Sequence, residues 1–208
     1  MNQPIKNYFD NHTEDYKKWK YGDKFENFIF SLEPGKRTLS LGCGAGREVK
    51  TLLAINHQVT AIDISGGMIR SSIITNPTAQ HICIDAVDFA RENKDILKFD
   101  YILGLFSFLN YIKLKDRREL IDNLYSMLDE NGKIVFEFRK VDDRAQDFFK
   151  VLLSFFFRKT EEFGDIIEKE WTSHHYTENQ IKKLFEGYNF ELNGNWIKLI
   201  KFKQRKNE

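Results

Sequence analysis

Residues 39–48 read LSLGCGAGRE, a short apolar run that breaks into a turn with glycine at every second position. Glycine adopts left-handed backbone conformations without steric cost, and it lets a ligand approach the main chain. The N–H groups that open a following helix can hold a carboxylate or a phosphate. We therefore predict a strand, a ligand-binding turn and a helix. The alternative is a glycine turn that only reverses the chain.

Two acidic residues follow the next two apolar runs. Asp63 stands 21 residues after Gly42, close to the roughly 20-residue offset at which an acid at a strand end holds ribose hydroxyls. The alternative for Asp63 is a cap on the helix that starts near Ser65. Asp85 comes 22 residues later, where a carboxylate can accept a hydrogen bond from an exocyclic amino group such as that of adenine. Taken alone, Asp85 is more typical of a surface helix cap.

The middle of the chain alternates strand-like and helix-like segments. Short apolar runs bounded by turn residues predict strands that are buried on both faces, at Thr38–Leu41, Gln58–Ile62, His81–Ile84, Asp100–Leu105 and Lys133–Phe138. The clearest helix is predicted at Asp116–Leu128, where leucines recur at helical spacing before Asn131-Gly132. We predict an α/β fold with a doubly wound, mostly parallel seven-stranded sheet, an antiparallel edge hairpin and helices on both faces.

The two ends of the chain differ from this alternating pattern. The first 30 residues are aromatic and charged and are predicted to form a helical lid. After residue 140 we predict an aromatic-rich helix at Ala145–Arg158 and a strand at Asp165–Trp171. Thr177-Glu-Asn-Gln180 predicts a capping box on a helix that ends near Gly187. The edge hairpin is predicted to turn at Gly194-Asn195, between strands at Asn189–Asn193 and Trp196–Phe202.

These segments are consistent with one domain over residues 1–208. Its expected parts are the lid at 1–30, a cofactor-binding core at 36–140, a substrate-side insertion at 141–176, and a C-terminal helix and edge hairpin at 177–208. Lys and Arg number 32 against 31 Asp and Glu, so no global field attracts nucleic acid. No apolar run approaches the roughly 20 residues of a membrane span, and no signal peptide is evident.

Cysteine and histidine are too few and too dispersed for a metal cluster, so no metal is expected. Cys43 and Cys83 form neither a disulfide framework nor a zinc motif. We expect a reduced, cytoplasmic protein that is a monomer or homodimer and has no membrane or nucleic-acid partner.

Four segments, taken in order, resemble the motifs of class I S-adenosylmethionine-dependent methyltransferases, at Leu39–Glu48, Ala61–Ser65, Ile82–Phe89 and Phe99–Ile112. The resemblance covers residues 36–140 and is weaker over Tyr176–Asn193. Arg47 takes the place of the third glycine of a dinucleotide fingerprint, which disfavours NAD. The resemblance implies S-adenosylmethionine as cofactor and, as cofactor-binding residues, Gly42, Cys43, Gly44, Gly46, Asp63, Ile64, Met68, Asp85, Ala86, Gly104 and Leu105. Tyr16 and Trp19 are expected to fold over the cofactor from the lid.

One position departs from the family pattern. Family members often carry Asp or Glu where this chain has Ser40, and that acid reaches the amino group of the cofactor. Serine can still form a hydrogen bond there, but it supplies no charge for the ammonium group.

The acceptor is less defined than the cofactor. Residues 104–112 read GLFSFLNYI, without the prolines found here in relatives that methylate adenine or amide nitrogens. The resemblance therefore implies a small-molecule acceptor, such as a sugar or a secondary metabolite, methylated on oxygen or nitrogen. An RNA or protein methyltransferase is the first alternative. A non-catalytic cofactor-binding interaction subunit is the second, and an NAD-dependent dehydrogenase is a distant third.

Candidate catalytic and acceptor-binding residues lie outside the glycine motif. His174 and His175 are the candidate bases, because histidine titrates near neutral pH; surface histidines beside a helix cap are the alternative. Arg139 is expected either to bind an acidic acceptor or to pair with Asp142 or Asp143. Tyr111 and Tyr176 are further candidate acceptor contacts.

Overall fold

The fold is built on a seven-stranded sheet. The computed structural model describes residues 3–18, 22–141, 151–152, 164–167 and 172–201. Over these residues the strands are β1 (Arg37–Leu41), β2 (Gln58–Asp63), β3 (Gln80–Cys83), β4 (Phe99–Gly104), β5 (Leu128–Glu137), β6 (Asp165–Ile167), β7 (Thr172–His174), β8 (Phe190–Asn193) and β9 (Trp196–Ile200). The large sheet has the order β3-β2-β1-β4-β5-β9-β8, and β6 pairs with β7 separately.

Strand direction in the large sheet follows the expectation. Neighbours among β1 to β5 are parallel, whereas β9 runs antiparallel to both β5 and β8. Asn193 pairs with Trp196 across the two-residue turn that contains Gly194, whose φ is +58°. The prediction of a mostly parallel seven-stranded sheet with an antiparallel edge hairpin is confirmed.

Helices cover both faces of this sheet. The described α-helices are α1 (Gln3–Asn11), α2 (Thr13–Lys18), α3 (Asp23–Phe30), α4 (Arg47–Ala54), α5 (Gly66–Thr75), α6 (Ala86–Asn93), α7 (Leu114–Ser126) and α8 (Glu178–Leu184). Helices α6, α7 and α8 pack into one apolar core, and α3, α4 and α5 pack into another. Ile102 and Leu103 of β4 belong to different cores, as the alternation of side chains along a strand requires.

Capping side chains just before the first helical residue define where α5 and α8 begin. Ser65 Oγ accepts the Met68 N–H at 3.1 Å and opens α5. The predicted capping box at α8 is confirmed, because Thr177 Oγ1 accepts the Gln180 N–H and the Gln180 side chain accepts the Thr177 N–H. Each contact satisfies an N–H group that has no partner within its own helix.

The predicted boundary between the helix and the fifth strand was wrong. Helix α7 ends at Ser126 rather than at Leu128, and β5 begins at Leu128 rather than at Lys133. The Met127 carbonyl accepts the Phe99 N–H of β4 at 2.9 Å, so the sheet takes over the backbone at that point. Asn131 has a φ of +63° inside β5. The Asn-Gly pair therefore accompanies an irregularity in the strand instead of ending the helix.

The strand predicted at Asp165–Trp171 is confirmed over Asp165–Ile167, and residues 168–171 lie outside the described part of the chain. Strands β6 and β7 form an antiparallel pair in which Asp165 lies opposite His174. The predicted segment thus contains the first strand of a small ribbon, and its partner begins at Thr172.

Some predictions fall outside the described residues. Trp19, Asp142, Asp143 and most of the helix predicted at Ala145–Arg158 are among them. Within the described part of the chain, none of the helices has the length and apolar character needed to cross a membrane.

Candidate active site

A cavity of about 570 Å³ lies beside the carboxyl ends of the central strands. Strands β1 and β4 are neighbours in the sheet although β2 and β3 separate them in sequence. Open α/β sheets bind their ligands at such a change of strand order. The described residues lining the cavity are Ile5, Tyr8, Phe9, Tyr16, Phe25, Gly42, Cys43, Gly44, Arg47, Glu48, Ile62, Asp63, Ile64, Met68, Ile84, Asp85, Ala86, Leu105, Phe106, Ser107, Phe108, Tyr111, Ile112, Glu137 and Arg139.

Gly44 and Gly46, which follow β1, have different structural roles. Gly44 has a φ of +53°, lines the cavity, and would place a Cβ with no protein atom within 4 Å. Gly46 has a φ of +84°, and a Cβ there would overlap Ser72 and Asn76 of the α5 region. Gly44 therefore leaves space at the cavity, whereas Gly46 permits the glycine turn to pack closely against Ser72 and Asn76.

Gly104 also has a packing role. A Cβ on Gly104 would lie 2.5 Å from Phe136 and 3.0 Å from Phe108. Gly46 and Gly104 are the two predicted cofactor-binding glycines that are not among the described residues lining the cavity. Both instead allow neighbouring elements to approach the residues that do line it.

Asp63 joins β2 to the glycine turn. Its carboxylate accepts the Gly44 N–H at 2.9 Å and the Ser65 N–H at 2.8 Å. The side chain lines the cavity and is 8% exposed. Burial raises the pKa of Asp63 to about 6, although the two backbone hydrogen bonds act in the opposite direction. Ser65, rather than Asp63, caps the following helix.

Asp85 caps a helix and also lines the cavity. Its Oδ1 accepts the Val87 N–H at 2.9 Å and caps α6. The same residue lines the cavity together with Ile64, Met68 and Ala86. The cap fixes the direction of the carboxylate beside an apolar wall of the kind that can hold a purine ring.

A buried carboxylate lies next to the position that departs from the family pattern. Ser40 Oγ donates to Glu48 Oε1 at 2.7 Å, and the two residues are 1% and 4% exposed. Glu48 is in the first turn of α4 and lines the cavity. Nothing in the sequence alone distinguished this glutamate from a solvated one, because its direction depends on the glycine turn before it.

The loop after β4 is held in an uncommon conformation. Phe106 and Ser107 have φ values of +53° and +62°, which residues other than glycine rarely adopt. Glu137, at the end of β5, accepts the Ser107 N–H at 2.6 Å and lies 3.3 Å from Ser107 Oγ. Arg47 stacks over the Phe106 ring at 5.0 Å. Strained backbone of this kind clusters at functional sites, and none of these four residues was among the predicted site residues.

The N-terminal helices lie against the start of α5 and against the loop after β4, and they line part of the cavity. Asp10 Oδ1 accepts the Ser65 hydroxyl at 2.6 Å and the Gly67 N–H at 3.0 Å, which holds α1 against the start of α5. Phe9 makes an edge contact with Tyr111, with ring centroids 5.8 Å apart. Tyr16 lines the cavity. Burial, and to a smaller extent the nearby tyrosines, raises the pKa of Tyr16.

Of the three predicted acceptor residues, Arg139 and Tyr111 line the cavity, and Tyr176 is not among the described residues that line it. Arg139 is exposed at the cavity edge, and its backbone N–H donates to Asn110 Oδ1 at 3.2 Å. Tyr176 is buried, and its hydroxyl donates to the Leu109 carbonyl at 3.1 Å. Tyr176 therefore supports the loop after β4 from beneath.

The two candidate histidines are buried rather than on the surface. His174 Nδ1 lies 2.8 Å from Asp165 Oδ1, and the His174 carbonyl accepts the Asn110 side-chain amide. His174 and His175 are 1% and 2% exposed, and neither is among the described residues lining the cavity. Their catalytic role stays a prediction. Within the described residues, no group of three or more His, Cys, Asp or Glu residues is arranged to hold a metal ion.

Comparisons of the sequence with known proteins identify similar domains and relatives. A family model described as a methyltransferase domain matches residues 13–193. The malonyl-[acyl-carrier protein] O-methyltransferase 1 of Ilyobacter polytropus is 29% identical over 133 residues, which are 62% of this chain and 46% of that protein. The chain spans about half the length of the curated relatives it matches, at 46% and 55% of two of them.

Solved structures share the fold at low sequence identity. An S-adenosylmethionine-dependent methyltransferase from Methanosarcina mazei superposes with a TM-score of 0.69 at 18% identity, over 88% of this chain and 99% of that one. The magnesium protoporphyrin IX methyltransferase of Synechocystis PCC 6803, crystallised with bound S-adenosylhomocysteine, has a TM-score of 0.67 at 14% identity, over 96% and 98% of the two chains.

Proposed function

Because the chain belongs to the methyltransferase domain family, we propose that it binds S-adenosylmethionine and transfers the methyl group to an oxygen or nitrogen atom of a small molecule. The observation that carries the proposal is one cavity that has the glycine turn and two acids on one side and aromatic and charged groups on the other. Its volume of about 570 Å³ is within the roughly 300–1,000 Å³ of small-molecule pockets. An acceptor that shares this cavity with the cofactor has to be small.

The residues on the sheet side suit each part of the cofactor. The open space at Gly44 lies beside the first turn of α4 and can take the methionyl part. Asp63 and Asp85 suit the ribose hydroxyls and the adenine amino group, with Ile64 and Ala86 against the ring. When bound, S-adenosylmethionine supplies a methyl group already activated on a sulfonium, so positioning and exclusion of water account for much of the rate.

The residues on the other side suit an acceptor with an acidic group. Arg139 can hold a carboxylate or phosphate at the cavity edge. Tyr16 and Tyr111 can form hydrogen bonds to it, and burial raises the pKa of Tyr16, so this residue stays a neutral donor. Where the acceptor must lose a proton, we propose that Glu137 accepts it as the base. The Ser107 N–H holds the Glu137 carboxylate at the cavity.

Binding measurements test the cofactor. Titration calorimetry should show S-adenosylhomocysteine and S-adenosylmethionine binding, with Asp63→Ala weakening both. NAD should not bind. Tight binding of NAD, or no binding of either adenosyl compound, would overturn the proposed cofactor.

Turnover measurements test the acceptor. Formation of S-adenosylhomocysteine should depend on a small acidic acceptor from a panel of phenolic, sugar and amino acids. Arg139→Ala should raise KM for that acceptor without changing cofactor affinity, and Glu137→Gln should lower kcat. Turnover on RNA or a protein, but on no small molecule, would overturn the proposed acceptor class.

A further inference from the structure

We propose that Glu48 provides the anionic contact for the amino group of S-adenosylmethionine, a contact that Ser40 cannot provide from β1. This inference rests on the proposed cofactor and assigns one of its contacts to a particular residue. The acid is thus displaced from the strand before the glycine turn to the helix after it.

The hydrogen bond between the two residues puts the carboxylate in the right place. Ser40 Oγ and Glu48 Oε1 are 2.7 Å apart, and both side chains are almost completely buried. An aspartate at position 40 would extend from the same Cβ toward the space that the Glu48 carboxylate now occupies. One negative charge can therefore be placed at this point in two ways. It can come from an aspartate on the strand, or from a glutamate that accepts a hydrogen bond from a serine on the strand.

Helix geometry explains why Glu48 reaches back so far. Gly46 precedes α4 in a left-handed conformation, and Glu48 is the second residue of the helix. Side chains in a helix tilt toward its N-terminus, so Glu48 points back to the end of β1. The partial positive charge at the helix N-terminus also favours a carboxylate there.

The charges around the cavity favour a cationic ligand group. Glu48 and Asp63 are both nearly buried and both line the cavity. Burial, together with the charge of Glu48, raises the pKa of Asp63. Two carboxylates close enough to affect each other's ionisation are stabilised when a positive group binds near them. The amino group of the methionyl part is such a group, and it belongs on the same side as the glycine turn.

The test separates the amino group from the rest of the ligand. We would measure binding of S-adenosylhomocysteine and of its desamino analogue, in which hydrogen replaces only the α-amino group. Glu48→Gln keeps the size of the side chain and an oxygen for the Ser40 hydroxyl. It should weaken S-adenosylhomocysteine binding by about 10- to 100-fold and change binding of the analogue by less than about twofold. Glu191→Gln, which alters an exposed acid of β8, should change neither.

A second variant restores the charge at the other position. The double variant Ser40→Asp with Glu48→Ala, in which the shorter side chain at 48 frees the space for the aspartate, should recover S-adenosylhomocysteine affinity to within a few-fold of the unmodified chain, and its folding is checked by circular dichroism. Equal weakening of both ligands by Glu48→Gln, no weakening at all, or no recovery in the double variant would overturn the assignment. If the unmodified chain binds neither ligand, the proposed cofactor itself fails. If it binds both with equal affinity, the cofactor stands and only the Glu48 contact fails.

Discussion

Replacing Gly44 by alanine should weaken cofactor binding far more than it weakens the fold. Gly44 has a φ of +53°, and its added methyl group would meet no protein atom within 4 Å. The left-handed conformation costs alanine about 1–2 kcal/mol, and the stiffer unfolded chain offsets part of this. We expect a net loss of about 1 kcal/mol, or about 2–4 °C in Tm for a domain of this size.

The same substitution at Gly46 should act mainly on stability. Its φ of +84° brings a similar backbone cost, and the methyl group would overlap the buried side chains of Ser72 and Asn76. Asn76 Nδ2 also donates to the Gly46 carbonyl at 2.8 Å, a bond that the overlap would disturb. Overpacking and the weakened hydrogen bond add about 2–4 kcal/mol. We expect Gly46→Ala to lose about 3–5 kcal/mol in total.

Thermal unfolding and calorimetry with S-adenosylhomocysteine distinguish the two effects. Gly44→Ala should bind the ligand at least tenfold more weakly, because the methyl group takes space that the ligand needs. Gly35→Ala is the matched control, since Gly35 has a φ of +75° with open space around it and is not among the described residues lining the cavity. It should lose similar stability and no affinity. Unchanged affinity in Gly44→Ala, or equal stability losses at 44 and 46, would refute the reasoning.

Three further predictions follow from burial and charge. Asp10→Ala should release α1, seen as faster proteolysis of the N-terminal helices, because Ser65 and Gly67 lose their shared acceptor. Burial opposes ionisation of Asp10, yet hydrogen bonds from Lys6, Ser65 and Gly67 lower its pKa to about 2, below the 3.8 of the unfolded chain. Its stabilising contribution should therefore be present above pH 4 and lost toward pH 2 in denaturant titrations. Burial raises the pKa of Asp63 to about 6, so S-adenosylhomocysteine affinity should fall between pH 7 and pH 5 in calorimetry. Because this folded-state pKa lies above 3.8, the contribution of Asp63 to the unfolding free energy should decrease as pH rises from 4 to 6. Phe136→Ala should cost about 3–5 kcal/mol in denaturant unfolding, since Phe136 is fully buried in the core; a loss under 1 kcal/mol would contradict this packing.

The sheet was predictable from sequence because its strands are short apolar runs separated by strong turn residues. The hairpin at Gly194-Asn195 and the capping box at Thr177 were predictable for the same local reason. The boundary at Met127 was not, because a hydrogen bond from Phe99, distant in sequence, ends the helix there. The partner of β6 was not predictable either, since the pairing of two three-residue strands depends on surrounding contacts.

The cavity was predictable where backbone position decides the contact. Gly44, Asp63 and Asp85 follow strand ends, and the topology alone places them at one edge of the sheet. The contacts of Glu48 and Glu137 with the cavity depend on the direction of their side chains. Left-handed residues in two neighbouring loops help to determine these directions. The conformation of Phe106 and Ser107 could not be predicted, because residues other than glycine rarely adopt positive φ values and nothing in the local sequence indicates them.

The position of β9 bears on the order in which the two sides of the cavity form during synthesis. Strands β1 to β4 pair with one another within residues 37–104, so a nascent chain can form these pairs early. Strand β5 obtains its outer neighbour only after Trp196–Ile200 has left the ribosome, when Phe136 pairs with Ile197 and Glu137 with Trp196. Until then one edge of β5 has no strand beside it, and such an edge can pair with other chains. The part of the cavity that includes Glu137 is therefore completed later than the glycine turn, and it has the greater need of protection while the chain is being made.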